Sequence, residues 1–459
     1  MEFAPNNAEE TCLKNHQRLA IKDGHDQHTE GMGMKGPAFN HHYYQSTNEI
    51  NSDSTDSPEP AASTSCDEPS YPEGGLQGWL VVFGSFCAMG AVFGLINTSA
   101  VFESYFKEHQ LKEYSHSQIG WIFSLYLFLV FFIGIQVGPI FDHYGPRLLV
   151  AVGSILIVAS LMLLSISEEY YQIILTYSVL GGTGGALLNC PAYGAIAHFF
   201  NVRRGLATGI ATTAGGIGGI VFPLLLQFLL GENGVGFAWS CRILGFILLV
   251  LCAAANLFVR SRLSAPVNDD EKKKSRGHSV WPDLTILRSR GFASSAVGIF
   301  FMEWGLFVPI TYIISYAKSH GSSDAESSVL LASLNAGSVL GRFLPGFLAD
   351  KLGRFNVIIA TIALCVITIL GGSNLGLIPV CIGQFCDSRD YGRYVTTANM
   401  IASFGTLTSV PIGGALLGFG GKAGWIGLIL FSAAAYVVAL ACYVTARVSA
   451  TGWKLRKRF

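Results

Sequence analysis

The chain has 459 residues with 30 basic and 30 acidic side chains, so its formal net charge is zero and no global field favours nucleic acid or an acidic partner. Charged residues make up 13% and hydrophobic residues 51%, and beyond Trp79 nearly all the charges fall in short gaps between long apolar runs. Runs of about 20 apolar residues are what a helix needs to cross a bilayer, where every backbone polar group must be satisfied internally, so the pattern points to an all-α polytopic membrane protein.

The first 70 residues lack the apolar core of a cleavable leader and are rich in Asn, Ser, Asp, Glu and His. Such a composition cannot bury a core, which predicts a disordered tail. Its histidines, His16, His25, His28, His41 and His42, are irregularly spaced, and no metal site is expected there. The ten cysteines form no CxxC pair and lie mostly in apolar blocks, the pattern of free buried thiols. Neither a metal nor a cofactor is expected.

The apolar runs read as Trp79–Phe102, Ile119–Phe141, Leu148–Ser165, Ile173–Phe199, Leu206–Leu230 and Phe237–Val259. After a charged break come Phe292–Tyr316, Val329–Leu348, Val357–Leu370, a short piece at Leu375–Phe385, Val395–Leu417 and Trp425–Thr445. Two sixes around a polar loop predict two six-helix bundles, residues 73–259 and 291–446, with a tail at 1–72, a linker at 260–290 and a basic C-terminal tail at 447–459. Alternate loops concentrate the positive charge: Arg147, Arg203 with Arg204, the linker, Lys351 with Arg354, Arg389 with Arg393, and the C-terminal tail. Positive loops stay on the cytosolic side, so both termini are expected to face the cytosol, in a multi-pass protein of the plasma membrane. One region is short. Between Arg354 and Arg389 about 34 residues remain where two full spans and a turn need about 40 or more. A single fused span would send Arg389, Arg393 and the basic tail to the wrong side, which favours two short or broken helices around Gly371–Asn374; missing sequence is the other explanation.

Glycines recur at four-residue spacing, including Gly90 and Gly94, Gly205 and Gly209, Gly215 and Gly219, and Gly337 and Gly341. This spacing lets helix backbones approach closely. Each half also carries a matching turn. Gly138, Asp142, Gly145 and Arg147 follow the second run, and Gly346, Asp350, Gly353 and Arg354 follow the eighth; both read G-x3-D-x2-G with Arg close behind. The first Gly permits close packing, the Asp can meet a helix N-terminus or an Arg, and the second Gly makes the turn.

This duplicated motif is similar to the inter-helix loop signature of major facilitator superfamily transporters. The stretches Glu73–Trp79, Phe199–Ala211, Asn335–Arg342 and Gln384–Asp387 resemble, more narrowly, the fungal branch of the monocarboxylate transporter-like family, with coverage from about Glu73 to Thr445. The resemblance implies a major facilitator fold carrying a small-molecule substrate. It also departs from the animal members. Ser338 stands where an Asp precedes their eighth-helix Arg, and Asn97 where their first-helix Lys falls. Lactate-like proton symport in that form is therefore not implied.

Ionisable residues inside spans are functional candidates, because burying a charge in hydrocarbon costs about 3 kcal/mol even on insertion scales. Arg342 is placed by the resemblance where relatives bind a substrate carboxylate, and a guanidinium suits that group. Glu303 sits mid-span within roughly 6 Å of the same depth, at about 1.5 Å per residue. It can pair with Arg342 or carry a proton as co-substrate. Asn97 and Trp304 complete the candidate substrate site, and Asp142 and Asp350 belong to a gate. The expected function is secondary transport of a small organic solute, a monocarboxylate or related organic anion or secondary metabolite, by alternating access, with uptake and efflux both open. The competing reading is a non-transporting sensor or defective carrier with a truncated ninth–tenth region. No nucleotide-binding or catalytic constellation is present, so an enzyme is not expected.

Overall fold

The computed structural model describes residues 71–231, 234–262, 281–368, 376–418 and 420–452. The expected disordered tail up to residue 70, most of the 260–290 linker, the Gly371–Leu375 break and the basic tail from residue 453 lie outside the described residues. Within them the chain is helical, with no strand. In the first half α1 spans Gly75–Glu108, α2 Gln118–Tyr144, α3 Arg147–Leu164, α4 Tyr170–Phe199, α5 Arg204–Leu230 and α6 Phe237–Phe258. In the second half α7 spans Arg290–Ser319, α8 Asp324–Leu352, α9 Arg354–Thr368, α10 Ile378–Ile382, α11 Tyr391–Leu417 and α12 Gly421–Thr451.

Nine described helices are long and apolar enough to cross a membrane. The helix α8 is as long, at 29 residues, but more polar, since it carries Asn335, Arg342 and Asp350. Large apolar side chains such as Leu148, Ile155, Phe228, Val250, Leu257 and Leu430 stand exposed, as a lipid-facing surface requires.

Among the described residues the ninth and tenth helices are short. The helix α9 has 15 described residues, and α10 has five. The expected apolar run Leu375–Phe385 is not a spanning helix: Pro379 sits in the first turn of α10 and Gly383 ends it. At about 1.5 Å per residue α10 covers only a quarter of a hydrocarbon core roughly 30 Å thick.

Local sequence sets the helix limits. Ser115 and Gln118 form a reciprocal capping box at the start of the second helix, and Ser323 and Glu326 form another at α8, so the two elements that lead into the duplicated motif begin alike. The helix α1 resets at Thr98. There the Thr98 hydroxyl donates to the Leu95 carbonyl at 2.6 Å and Asn97 Nδ2 to the Phe93 carbonyl at 2.8 Å, competing for the last turn of the preceding helix.

The two halves meet along α5 with α8 and along α2 with α11, and the sequence repeat makes these pairs equivalent. Small residues allow it. A β-carbon on Gly346 would collide with the Gly205 carbonyl, and one on Gly138 with Thr396 Oγ1 and the Gly392 carbonyl. Gly337, by contrast, faces open space, so the four-residue spacing at Gly337 and Gly341 does not mark a contact at its first position. Gly346→Val is therefore expected to lower the melting temperature of the detergent-purified protein, through an overpacking cost of about 1–3 kcal/mol. Gly337→Ala should leave it within a degree or two or raise it, which a fluorescence-detected thermal scan of both variants will show.

Candidate functional site

One end of the helix assembly is latched across the halves. Asp142, at the end of α2, accepts from the backbone N–H of Gly392 at 2.9 Å and of Arg393 at 2.8 Å, the first turn of α11. Asp350, at the end of α8, accepts from the N–H of Gly205 and of Leu206, both at 2.8 Å, the first turn of α5. Each carboxylate thus satisfies orphan donors at a helix N-terminus of the opposite half, where the helix dipole also favours negative charge. Gly145 and Gly353 follow with φ of 79° and 93°, the left-handed turn that lets the chain leave each latch.

The two arginines of the motif differ. Arg354 is buried and donates from Nη2 to the Asn201 carbonyl, while Arg147 is exposed and makes no hydrogen bond to a described residue. Beside the latches Arg204 is 2% exposed. It donates to the Phe200, Ala197 and Gly383 carbonyls and to Ser388 Oγ, and its guanidinium lies over the Tyr391 ring. Ser388 also accepts from the Tyr71 hydroxyl at 2.8 Å, and its carbonyl accepts from His198 Nε2 at 2.9 Å. Glu73 clamps the turn before α5 by accepting from the N–H of Asn201, Val202 and Arg203. The Glu73, Arg203–Arg204 and Gln384–Asp387 stretches, separate in sequence, therefore meet at one closed end.

Above this end lies a small cavity between the halves, of about 20 Å³, lined by Phe93 of α1, Phe131 of α2, Tyr193 of α4, Glu303 of α7, Ile378 and Pro379 of α10, and Val395 and Asn399 of α11. In this conformation that is room for about one water molecule. Glu303 is 2% exposed and its Oε2 has no hydrogen-bond partner. Glu303 and Arg342 do not form an ion pair here, although each lies within electrostatic reach of the other and of Tyr193.

Arg342 does not line the cavity. It sits one layer behind, against α5, where Nη1 donates to the Thr212 carbonyl at 2.8 Å and the guanidinium packs where Gly215 has no side chain, close to the Phe93 β-carbon. Its Nε is buried without a partner. Asn97 ties α1 to α5 by donating to the Gly215 carbonyl at 3.0 Å. Trp304 turns the other way, packing edge-on against Phe431 of α12 with ring centroids 4.8 Å apart. Among the expected substrate residues, then, Glu303 reaches the cavity wall, Arg342 and Asn97 support it, and Trp304 faces the interior of its own half.

Sequence reasoning missed Tyr193 and Asn399, polar residues in otherwise apolar runs whose inward orientation no linear pattern specifies. It also took Arg204 for a loop charge; the signal was its place in the motif entering α5. The free cysteines Cys87, Cys190, Cys241, Cys252, Cys365, Cys381, Cys386 and Cys442 stand as expected.

Two halves whose repeated motifs cap each other's helices define a carrier-type membrane protein. The chain belongs to the Major Facilitator Superfamily, whose profile matches residues 78–382. It is 36% identical to the MFS-type transporter opdF of Penicillium oxalicum, over 84% of this chain and 94% of that one. It is 33% identical to the riboflavin transporter MCH5 of Saccharomyces cerevisiae, over 84% of this chain and 81% of that one. It is also 33% identical to the aspyridones efflux protein apdF of Emericella nidulans, over 79% and 76%. In fold it is similar to the Escherichia coli fucose:proton symporter FucP, with a TM-score of 0.58, 16% identity, and coverage of 80% of this chain and 98% of that one.

Each latch bond joins a carboxylate to a backbone N–H, a class of bond contributing about 1.5–3 kcal/mol. Asp350→Ala is therefore expected to shift the closed end toward opening by at least tenfold, and Asp350→Ala with Asp142→Ala further still. The check is the maleimide labelling rate of a cysteine placed at Thr212, in a chain stripped of its other cysteines. A rate unchanged in the double variant would show that the carboxylates do not hold this end closed.

Proposed function

We propose that this protein carries a small organic anion across the membrane by alternating access, with Arg342 as the anion's partner. Small-solute transport follows from its family. The closer likeness to monocarboxylate porters, the anionic cargo and the proton are the proposal. The observation that supports it best is the Arg342–Thr212 bond. It crosses from α8 to α5, the same helix pair that Asp350 latches. Opening that end separates α5 from α8, breaks the bond and releases a buried guanidinium that then requires an anion. Cargo carboxylate and Thr212 carbonyl thus compete for one group, and the winner depends on the conformation. A buried cation that trades partners in this way couples cargo to gate without a further device.

Glu303 is the proposed proton carrier, since its carboxyl lines the cavity beside Arg342 with an oxygen left unpartnered. The positive-loop bias supports placing the latched end and both termini at the cytosol, in the plasma membrane. Relatives named as a riboflavin transporter and as an aspyridones efflux protein leave both directions of transport consistent with this reading. The five-residue α10 favours a second reading, a sensor or defective carrier, and the same assay decides it.

In proteoliposomes holding the full chain, Arg342→Ala is expected to reduce carboxylate uptake at least tenfold, and Arg342→Lys to restore it only in part, because an ammonium lacks the guanidinium's fork. Wild-type uptake in Arg342→Ala would defeat the assignment, and no transport by the unmodified chain would favour the second reading. Glu303→Gln is expected to flatten the dependence of uptake on an imposed pH gradient while leaving counterflow exchange intact. An unchanged gradient dependence would remove Glu303 as the proton carrier.

A further inference from the structure

The bilayer cannot fix the position of α10. With five residues the helix is far too short to span, and far below the dozen or so residues that a helix needs to persist by itself. Its place is set by contacts from its sides, and those come from both halves. The Tyr391 hydroxyl of α11 donates to the Pro379 carbonyl at 2.8 Å, the same oxygen on which the Gly383 N–H closes the single turn at 3.1 Å. Arg204 of α5 donates to the Gly383 carbonyl at 3.3 Å, and a β-carbon on Gly376 would lie 2.8 Å from Thr212 Oγ1 of the same helix. The two ends of α10 lie in different places. Ile378 and Pro379 form part of the cavity wall, while Gly383 meets Arg204 at the latched end. All five side chains between are buried, so α10 fills the line from cavity to latch.

We propose that α10 is an inner plug of this carrier, a short element seated by Tyr391 and Arg204 whose own displacement, separate from the parting of the two halves, opens the cavity toward the latched end. Arg204 and Thr212 leave with the first half when α5 moves away from α8. Tyr391 belongs to the same half as α10 and keeps its hold, so the plug is then released by the loss of one further hydrogen bond. Tyr391 is the positioning residue of this step. Elements that must move are drawn from the low-stability end of a fold, and a single turn held from its sides meets that description. The plug requires only small-solute transport, which the family supplies, and is independent of the cargo's charge and of Arg342.

The reporter is built in. Cys381, in the middle of α10, is a free thiol that is 1% exposed. In the full chain with Cys381 as its only cysteine, held in lipid nanodiscs, the rate of modification by N-ethylmaleimide follows the population of the displaced plug. Tyr391→Phe keeps the ring under the Arg204 guanidinium and removes only the hydroxyl. It is expected to raise the Cys381 rate about fivefold, the loss of one neutral hydrogen bond. A second single-cysteine chain carries Thr396→Cys, at the α2–α11 crossing against Gly138, and reports the parting of the halves. There Tyr391→Phe should change the rate by less than about twofold, because no bond across that crossing is lost. A Cys381 rate unchanged by Tyr391→Phe would overturn the proposal. An equal rise at Thr396→Cys would overturn it too, since α10 would then be carried along by the opening of the halves.

Discussion

The arrangement rests on one requirement: the first backbone N–H groups of a helix have no partner within that helix. At the starts of α5 and α11 the acceptor comes from the other half of the molecule, Asp350 in one case and Asp142 in the other. Breaking either contact leaves both a carboxylate and a pair of amides without partners unless water enters. Closure of this end is therefore tied to dehydration, and opening to hydration. An internal repeat in the sequence becomes two equivalent latches because α2 and α8 end on the same motif and α5 and α11 begin opposite them. The glycines before each aspartate keep side chains out of the crossing, so the latch geometry and the close helix approach depend on one another.

In the proposed mechanism cargo recognition is connected to this closure through helix rigidity. Arg342 and Asp350 lie two turns apart on α8, and their partners Thr212 and Gly205 lie two turns apart on α5. The two contacts form a single seam. No long-range pathway is needed for gate and guanidinium to respond together; they are on the same pair of rods. The cavity next to this seam draws on helices from both halves, which is what a site that must change its access from one side to the other requires.

The shortened region bears on the same cavity. The helix α10 is too brief to span, yet Ile378 and Pro379 still contribute to the cavity wall, and the Gly383 carbonyl still accepts from Arg204 at the latched end. The part of the tenth element that serves the site and the gate is thus retained within the described residues. Ser388 and Gln384 just beyond it extend that role, Ser388 by joining Tyr71, His198 and Arg204, and Gln384 by lying against Arg354.

How much was legible in the sequence follows from what each property depends on. Spanning helices, the repeat and the shortened region could be read directly, because bilayer thickness converts hydrophobic run length into structure and a turn motif is local chemistry. Asp142 and Asp350 stood out as matching members of a repeated turn motif, but which helices they cap did not, since that depends on how the two halves dock. Glu303 and Arg342 stood out as charges in apolar runs; that one lines the cavity while the other is held behind it by Thr212 was decided by the rotation of α7 and α8 about their axes. Tyr193 and Asn399 gave no signal, because a neutral polar side chain in a long apolar run is equally compatible with every face of its helix. Composition and periodicity, set by neighbours along the chain, determined the class of protein and its elements. Tertiary packing alone, by fixing which faces meet, decided that Glu303 reaches the cavity wall while Arg342 is held behind it by Thr212.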